Sequence, residues 1–237
     1  MQDKFVIANF KSNKTLTEMR HWLKEFLSPV TMLGLDKKGL ELALAPAFVF
    51  VAEVAEALEG VKNVSLAVQD LSPYPAGSYT GAVSAYNLSD WPVKYAIVGH
   101  SERRRYFRET VNDVALKVEQ AVANGIVPVV CVDDDNLSSQ AGTLPESVWR
   151  RCLVAYEPKE AIGSGLATET DKVAQAVKKI KQAFGEEVRV LYGGSVTELN
   201  VNDYLAVSDG VLVGSVSLEA EKFLNLLRVV KNPPALG

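Results

Sequence analysis

The fold this sequence predicts is a closed (β/α)8 barrel of the α/β class, and three observations carry the prediction. Eight short apolar runs, rich in aliphatic and β-branched residues, recur at intervals of roughly 22 to 36 residues. They are near-continuous rather than alternating, as parallel strands buried on both faces require. Segments with helical spacing lie between most of them. An open, doubly wound sheet competes with the barrel, but eight units in 237 residues favour closure.

The strand candidates, in order, are Phe5–Phe10, Leu40–Ala45, Val64–Gln69, Tyr95–Gly99, Val127–Val132, Cys152–Tyr156, Val188–Tyr192 and Gly210–Gly214. Leu16–Leu27 reads as the first helix, capped by Thr15 or Thr17. Val49–Leu58, Val111–Asn124 and Asp171–Phe184 follow, the last two ending before Gly125 and Gly185. Leu218–Val230 closes the set. No linker or low-complexity tract divides the chain, so residues 1–237 are expected to form one domain.

Composition sets the function classes aside. Apolar residues make up 48% and charged residues 23%, with a net charge of −4. That balance gives no general attraction for nucleic acid or an anionic membrane. Cys131 and Cys152 sit in apolar runs and read as reduced thiols, and with only His21 and His100 beside them no metal site is expected. The N-terminal residues lack a signal-peptide core, and no run approaches the roughly 20 apolar residues of a membrane span. A cytoplasmic protein is the expectation.

Barrel geometry demands that functional residues gather at the C-terminal ends of strands, and chemistry-bearing residues do fall there. The first strand runs into Asn9-Phe10-Lys11, weak evidence alone because most lysines at strand ends are simply solvated. The fourth runs into Gly99-His100-Ser101-Glu102-Arg103-Arg104. A histidine at a helix N-terminus is disfavoured as imidazolium, and a neutral ring can polarise a carbonyl through its N–H; the plainer reading is a capping residue. The sixth ends in Tyr156-Glu157-Pro158, followed by the small, glycine-containing segment Ala161-Ile162-Gly163-Ser164-Gly165. A carboxylate at the end of an apolar strand is expensive to bury without a role. The seventh and eighth end in Gly193-Gly194-Ser195 and Gly214-Ser215, where backbone N–H groups can approach an anion closely. Together these supply a base, a neutral histidine, a lysine and two anion nests. That set suits proton abstraction beside a carbonyl in a small phosphorylated substrate.

Asn9-Phe10-Lys11, Gly99 to Arg104, Ala155-Tyr156-Glu157-Pro158, Ala161 to Gly165, Tyr192 to Val196 and Asp209-Gly210 resemble, in order, the signatures of the triosephosphate isomerases. The resemblance covers essentially the whole chain. It implies a TIM-barrel enzyme that interconverts dihydroxyacetone phosphate and D-glyceraldehyde 3-phosphate through an enediolate, without metal or organic cofactor. It implies Glu157 as the base, His100 as the electrophile, and Lys11 as the cation, with Asn9 completing the pocket and Glu102 holding neighbouring groups. N–H groups of Gly163, Ser195, Gly214 and Ser215 would hold the phosphate. The segment Gln69–Gly81 is similar to the family's long third loop, which places Thr80 near a partner's site and implies a homodimer, with a tetramer left open.

Some positions depart from the family pattern. Glu160 stands where most bacterial and eukaryotic relatives have tryptophan, and Leu166-Ala167-Thr168 replaces the usual far hinge. Ser215 replaces a glycine, Asp133-Asp134 a Gly-Glu pair and Ala82 a glutamate. The short stretch between Cys131 and Cys152 implies a helix there reduced or missing. The alternatives are another phosphosugar isomerase or epimerase on the same barrel, or a catalytically impaired relative acting as a binding protein.

Overall fold

The computed structural model describes residues 4–35, 39–160 and 168–230. Eight parallel strands close on themselves in sequence order: β1 (Lys4–Asn9), β2 (Leu40–Ala45), β3 (Val64–Val68), β4 (Val93–Val98), β5 (Val127–Val132), β6 (Leu153–Tyr156), β7 (Arg189–Tyr192) and β8 (Gly210–Val213). The last seam pairs β8 with β1, Val6 opposite Val211 and Ala8 opposite Val213. Because each strand pairs in parallel with two neighbours and β8 pairs with β1, the barrel has no free edge.

The period of two along each strand explains why the runs are apolar throughout. One set of residues, including Ile7, Ala43, Ala67, Ile97, Val129, Leu153, Ala155, Leu191 and Leu212, forms the barrel's interior cluster. The alternate set, with Val6, Leu42, Leu66, Val98, Val130, Val154, Val190 and Val211, packs outward against the helices. Both faces are dry, so both must be hydrophobic. The same inward phase reaches Asn9 at the end of β1 and, one step beyond their strands, Gln69, Gly99, Glu157 and Gly193. The register that fills the core therefore also delivers the mouth.

The helices are α1 (Leu16–Thr31), α2 (Val51–Ala57), α3 (Ser101–Phe107), α4 (Val111–Ala123), α5 (Leu137–Thr143), α6 (Glu146–Trp149), α7 (Thr170–Phe184), α8 (Val201–Val207) and α9 (Ala220–Val229). Thr15 is the cap of α1, in a capping box with Glu18, and Thr110 with Asp113 repeats the device on α4. Sequence spacing stopped α1 at Leu27, before Ser28-Pro29. The helix continues to Thr31 because Val30 is buried against the core, which outweighs the hydrogen bond that Pro29 forgoes. Between Cys131 and Cys152 stand the short α5 and α6, so the helical segment there is reduced rather than missing. Neither they nor α8 were anticipated. α1 packs on α9 through Trp22, Phe26 and Phe223, with ring centroids 4.4 to 6.3 Å apart.

Candidate active site

Glu157 directly follows β6, and its N–H extends the sheet ladder to Val132 O at 2.8 Å. The side chain thus enters the mouth on a rigid element, and it is 3% exposed. Room for it comes from β7, because a Cβ on Gly193 would lie 3.0 Å from Glu157 Cγ. Glu157 Oε1 lies 2.9 Å from His100 Nε2, and Oε2 accepts from the Ser101 N–H at 2.7 Å.

β4 turns into α3 at Gly99, where φ is +70° and a Cβ would meet the Arg104 guanidinium and Val114 at 2.6 and 2.9 Å. Only glycine fits both the backbone and the space. The turn makes His100 the cap of α3, its Nδ1 accepting from the Glu102 N–H at 3.2 Å. Arg104 fastens the turn from behind, donating to Gly99 O, Cys131 O and Gln140 Oε1 at 2.8, 3.1 and 2.7 Å.

The protonation of this pair follows from opposing influences. Burial pushes the Glu157 pKa up, but the His100 imidazole and the Ser101 N–H outweigh it and hold the carboxyl below its ordinary value. At His100 burial pushes the pKa down, while the Glu157 and Glu102 carboxylates draw it up past the ordinary histidine value. Geometry opposes a second ring proton all the same. The nearest group to Nδ1 is an N–H donor at 3.2 Å, and Glu102 Oε2 stands farther off at 3.6 Å. The Glu102 N–H thus occupies Nδ1 and leaves Nε2 directed at Glu157. Cys131 packs beneath, its thiol pushed well up by burial and by Glu157, and Cys152 is pushed up to about 12, so both stay protonated.

Lys11 lies beyond β1 with φ +52°, a conformation lysine rarely takes. Its N–H donates to Asn9 Oδ1 at 3.0 Å, and its carbonyl accepts from Gln69 Nε2 at 3.0 Å. Gln69 also bonds Ala45 O at 2.8 Å, so the ends of β1, β2 and β3 fix the turn together. Lys11 Nζ meets Glu102 Oε1 at 2.7 Å and passes within 4.0 Å of where a Cβ on Gly214 would sit. The half-buried Gly214 and exposed Ser215 open a 3-10 turn, Ser215–Leu218, after β8. Ser195 is half-buried after β7.

Most of the residues singled out in the sequence thus converge on one mouth: Asn9, Lys11, His100, Glu102 and Glu157 in direct contact chains, with Ser195, Gly214 and Ser215 at its β7–β8 side. Gly163 lies outside the described residues. Thr80 stands apart on the exposed loop between Ser72 and Val83, which is closed at its base by a 2.8 Å hydrogen bond and carries a Tyr74–Tyr79 stack. The roles of the Ser101 N–H and of Gln69 were missed: a backbone donor leaves no mark in composition, and Gln69 looked like a strand end. Among the described residues no group of three or more His, Cys, Asp or Glu side chains is arranged to hold a metal ion. No helix among them is long and apolar enough to cross a membrane.

A closed parallel barrel whose mouth joins a buried carboxylate to an imidazole, beside a lysine and a glycine-opened turn, defines a proton-transfer enzyme class. The triosephosphate isomerase family model matches residues 4–230. A triosephosphate isomerase of Mesomycoplasma hyorhinis is 37% identical over 98% of this chain and 100% of its own length. One from Thermus thermophilus is 40% identical over 97% and 99%, and one from Prochlorococcus marinus 34% over 95% and 98%. The chain belongs to the triosephosphate isomerase family.

Proposed function

We propose that the protein interconverts dihydroxyacetone phosphate and D-glyceraldehyde 3-phosphate, with Glu157 as the base and His100 as the neutral electrophile. The observation that carries this assignment is the 2.9 Å contact between Glu157 Oε1 and His100 Nε2, a buried acceptor facing a buried donor. A substrate carbonyl entering between them would take over the Nε2–H. Glu157, released from that bond, would then remove a proton from the carbon beside the carbonyl.

The electron pair of that C–H bond moves into a C=C bond, and the carbonyl oxygen becomes an enediolate oxygen. His100 N–H and the Lys11 ammonium stabilise that charge where it forms. His100 gives its proton to this oxygen and recovers one from the neighbouring hydroxyl. Glu157 returns its proton to the adjacent carbon, and the enzyme is restored. Asn9 keeps Lys11 in its unusual turn, and Glu102 aligns the ammonium. The N–H groups of Gly163, Ser195, Gly214 and Ser215 would hold the phosphate through aligned dipoles.

A coupled assay with glyceraldehyde 3-phosphate, run on the wild type beside Glu157→Ala, tests the reading. Rapid turnover by the wild type and near-complete loss in the folded variant are expected. Equal rates would remove Glu157 from the role of base, and no turnover by the wild type would redirect attention to other phosphosugars.

We further infer a cytoplasmic, single-domain subunit that pairs with a second copy of itself. The loop bearing Thr80 projects into solvent with stacked tyrosines, and Tyr106 and Phe107 at the end of α3 are 65% and 68% exposed. Aromatic side chains left in water in this way suit a partner surface. Sedimentation velocity reads the outcome directly: a dimer is expected, a tetramer would extend the proposal, and a stable monomer would overturn it.

A further inference from the structure

Two lysines in the turn between β1 and α1 hold left-handed backbone, Lys11 at φ +52° and Lys14 at φ +74°. The site accounts for the first, since its ammonium is delivered to Glu102. The second has no place in the mechanism. Glycine would take this backbone without penalty, so a lysine here is strained, and strain persists where something over-determines it.

The side chain shows what that is. Lys14 Nζ donates to Leu218 O at 2.8 Å, across 204 residues of sequence. Leu218 ends the short turn that opens at Gly214 and Ser215, where a Cβ on Gly214 would lie 3.6 Å from Lys11 Cε. Glu18, the nearest acid in sequence, is already committed to the Thr15 N–H and hydroxyl at 2.7 and 2.9 Å, so the lysine is not serving an ordinary helix-surface pair. Two further bonds hold the middle of the same turn. Trp22 Nε1 donates to Ser217 O at 3.0 Å, and the Ser217 hydroxyl donates to Gly214 O at 2.7 Å. The β1–α1 segment therefore grips the 214–218 turn at its middle from α1 and at its end from Lys14.

We propose that Lys14 is a positioning residue for the substrate's phosphate, acting by fixing the turn that presents the Gly214 and Ser215 N–H groups. The inference rests on the reading that those N–H groups bind phosphate. A nest of backbone donors holds an anion well only while its N–H vectors converge, and a free carboxyl end would let the turn splay. Strain in the backbone at residue 14 is thus exchanged for geometry at residues 214 and 215.

The test uses the full-length protein and the variants Lys14→Gly, Lys14→Asn and Lys14→Arg. Glycine and asparagine both accept left-handed backbone, so neither adds strain while each removes the tether. Both are expected to keep the wild-type Tm within about 2 °C, as tolerated surface changes do. KM for glyceraldehyde 3-phosphate should rise about three- to tenfold with kcat nearly unchanged, the pattern for lost ground-state binding. The competitive inhibition constant of inorganic phosphate should rise by the same factor, and Lys14→Arg should restore both. A lysine that served stability alone would lower Tm and leave KM and phosphate inhibition in place, and that result overturns the proposal. Wild-type enzyme indifferent to inorganic phosphate would instead overturn the phosphate-turn reading beneath it.

Discussion

Two clusters of buried charge hang on the same short helix and are built on opposite plans. Behind the mouth, Arg103 of α3 and Lys117 of α4 alternate with Asp70 and Glu109. Arg103 meets Asp70 and Glu109 at 2.8 Å each, and Lys117 meets Asp70 at 2.6 Å. Lys117 also approaches Glu109 Oε1 at 2.7 Å, as an ion contact without the alignment of a hydrogen bond. Two cations and two carboxylates close a ring that welds the loop after β3 to α3 and α4. At the mouth one carboxylate faces an imidazole and a backbone N–H, with neither a lysine nor an arginine against it. Each charge of the ring is paired with two of opposite sign, so none is left to exchange with a substrate. The Glu157 carboxylate is held by the His100 ring and the Ser101 N–H, so an entering substrate can exchange for one of those hydrogen bonds. Closure of a charge network makes a support, and an opening in it makes a reactive site.

The sharpest way to break the comparison is to remove one member of each cluster. Glu157→Gln keeps shape and most packing but cannot take a proton, and loss of a positioned base costs about 10²- to 10⁴-fold in kcat. Its Tm should stay near wild type. A variant with wild-type kcat would show that the open cluster is not where the proton moves. Lys117→Met does the reverse. It leaves two buried carboxylates facing one arginine, and breaking a buried ion pair from one side costs about 3–5 kcal/mol. For a domain of this size that corresponds to a Tm lower by roughly 6 to 20 °C. The turnover of the protein that remains folded should stay within about threefold, because Lys117 touches neither His100 nor Glu157. A small change in Tm with a large change in kcat would invert the two roles.

The two clusters also differ in how far the sequence revealed them. Strand positions and the mouth were legible because both follow from local pattern: apolar runs mark strands, and the residue just past each run lies at the mouth by the geometry of a parallel barrel. Glu157, His100 and Lys11 stood out as polar residues at the ends of such runs. The ring was invisible. Asp70, Arg103, Glu109 and Lys117 sit on three separate segments with the spacing of ordinary surface charges, and only the tertiary fold brings them together, with the Lys117 side chain 96% buried. α8 was missed for a related reason. Val201, Tyr204 and Leu205 bury one face, yet seven residues are too few to raise a period above the noise. Lys14 failed differently, since a backbone dihedral leaves no trace in a lysine.

Acid titration sharpens the comparison with a smaller effect. Burial raises the Asp70 pKa despite Lys117 and Arg103, whereas the Glu157 pKa is held below its ordinary 4.5. A depressed carboxyl pKa contributes stability that is fully present above the unfolded value and is lost as the pH falls through the folded one. Wild type should therefore lose more Tm than Glu157→Gln as the pH drops below about 4.5, because only wild type has that proton to take up. Asp70 is common to both proteins and cancels in the difference. Parallel Tm curves for the two proteins would mean that folding does not hold the Glu157 charge.

A third kind of charge pairing, exposed on both sides, marks the lower limit. Lys159, two residues past Glu157, pairs with Asp135 in the loop after β5, their side chains 59% and 75% exposed. Asp133 Oδ2 lies 3.9 Å from the same ammonium. Here water competes for every charge, and ordering a long side chain offsets most of the Coulomb attraction. Lys159→Met should leave Tm within about 1 °C of wild type, and salt should have no larger effect on the variant than on the parent. The result matters because this pairing joins the strand end that carries the base to the neighbouring loop, where a merely solvated lysine and a true tether look alike. A Tm lower by several degrees, as for Lys117→Met, would place Lys159 with the closed ring: a support for Glu157 that burial alone fails to identify.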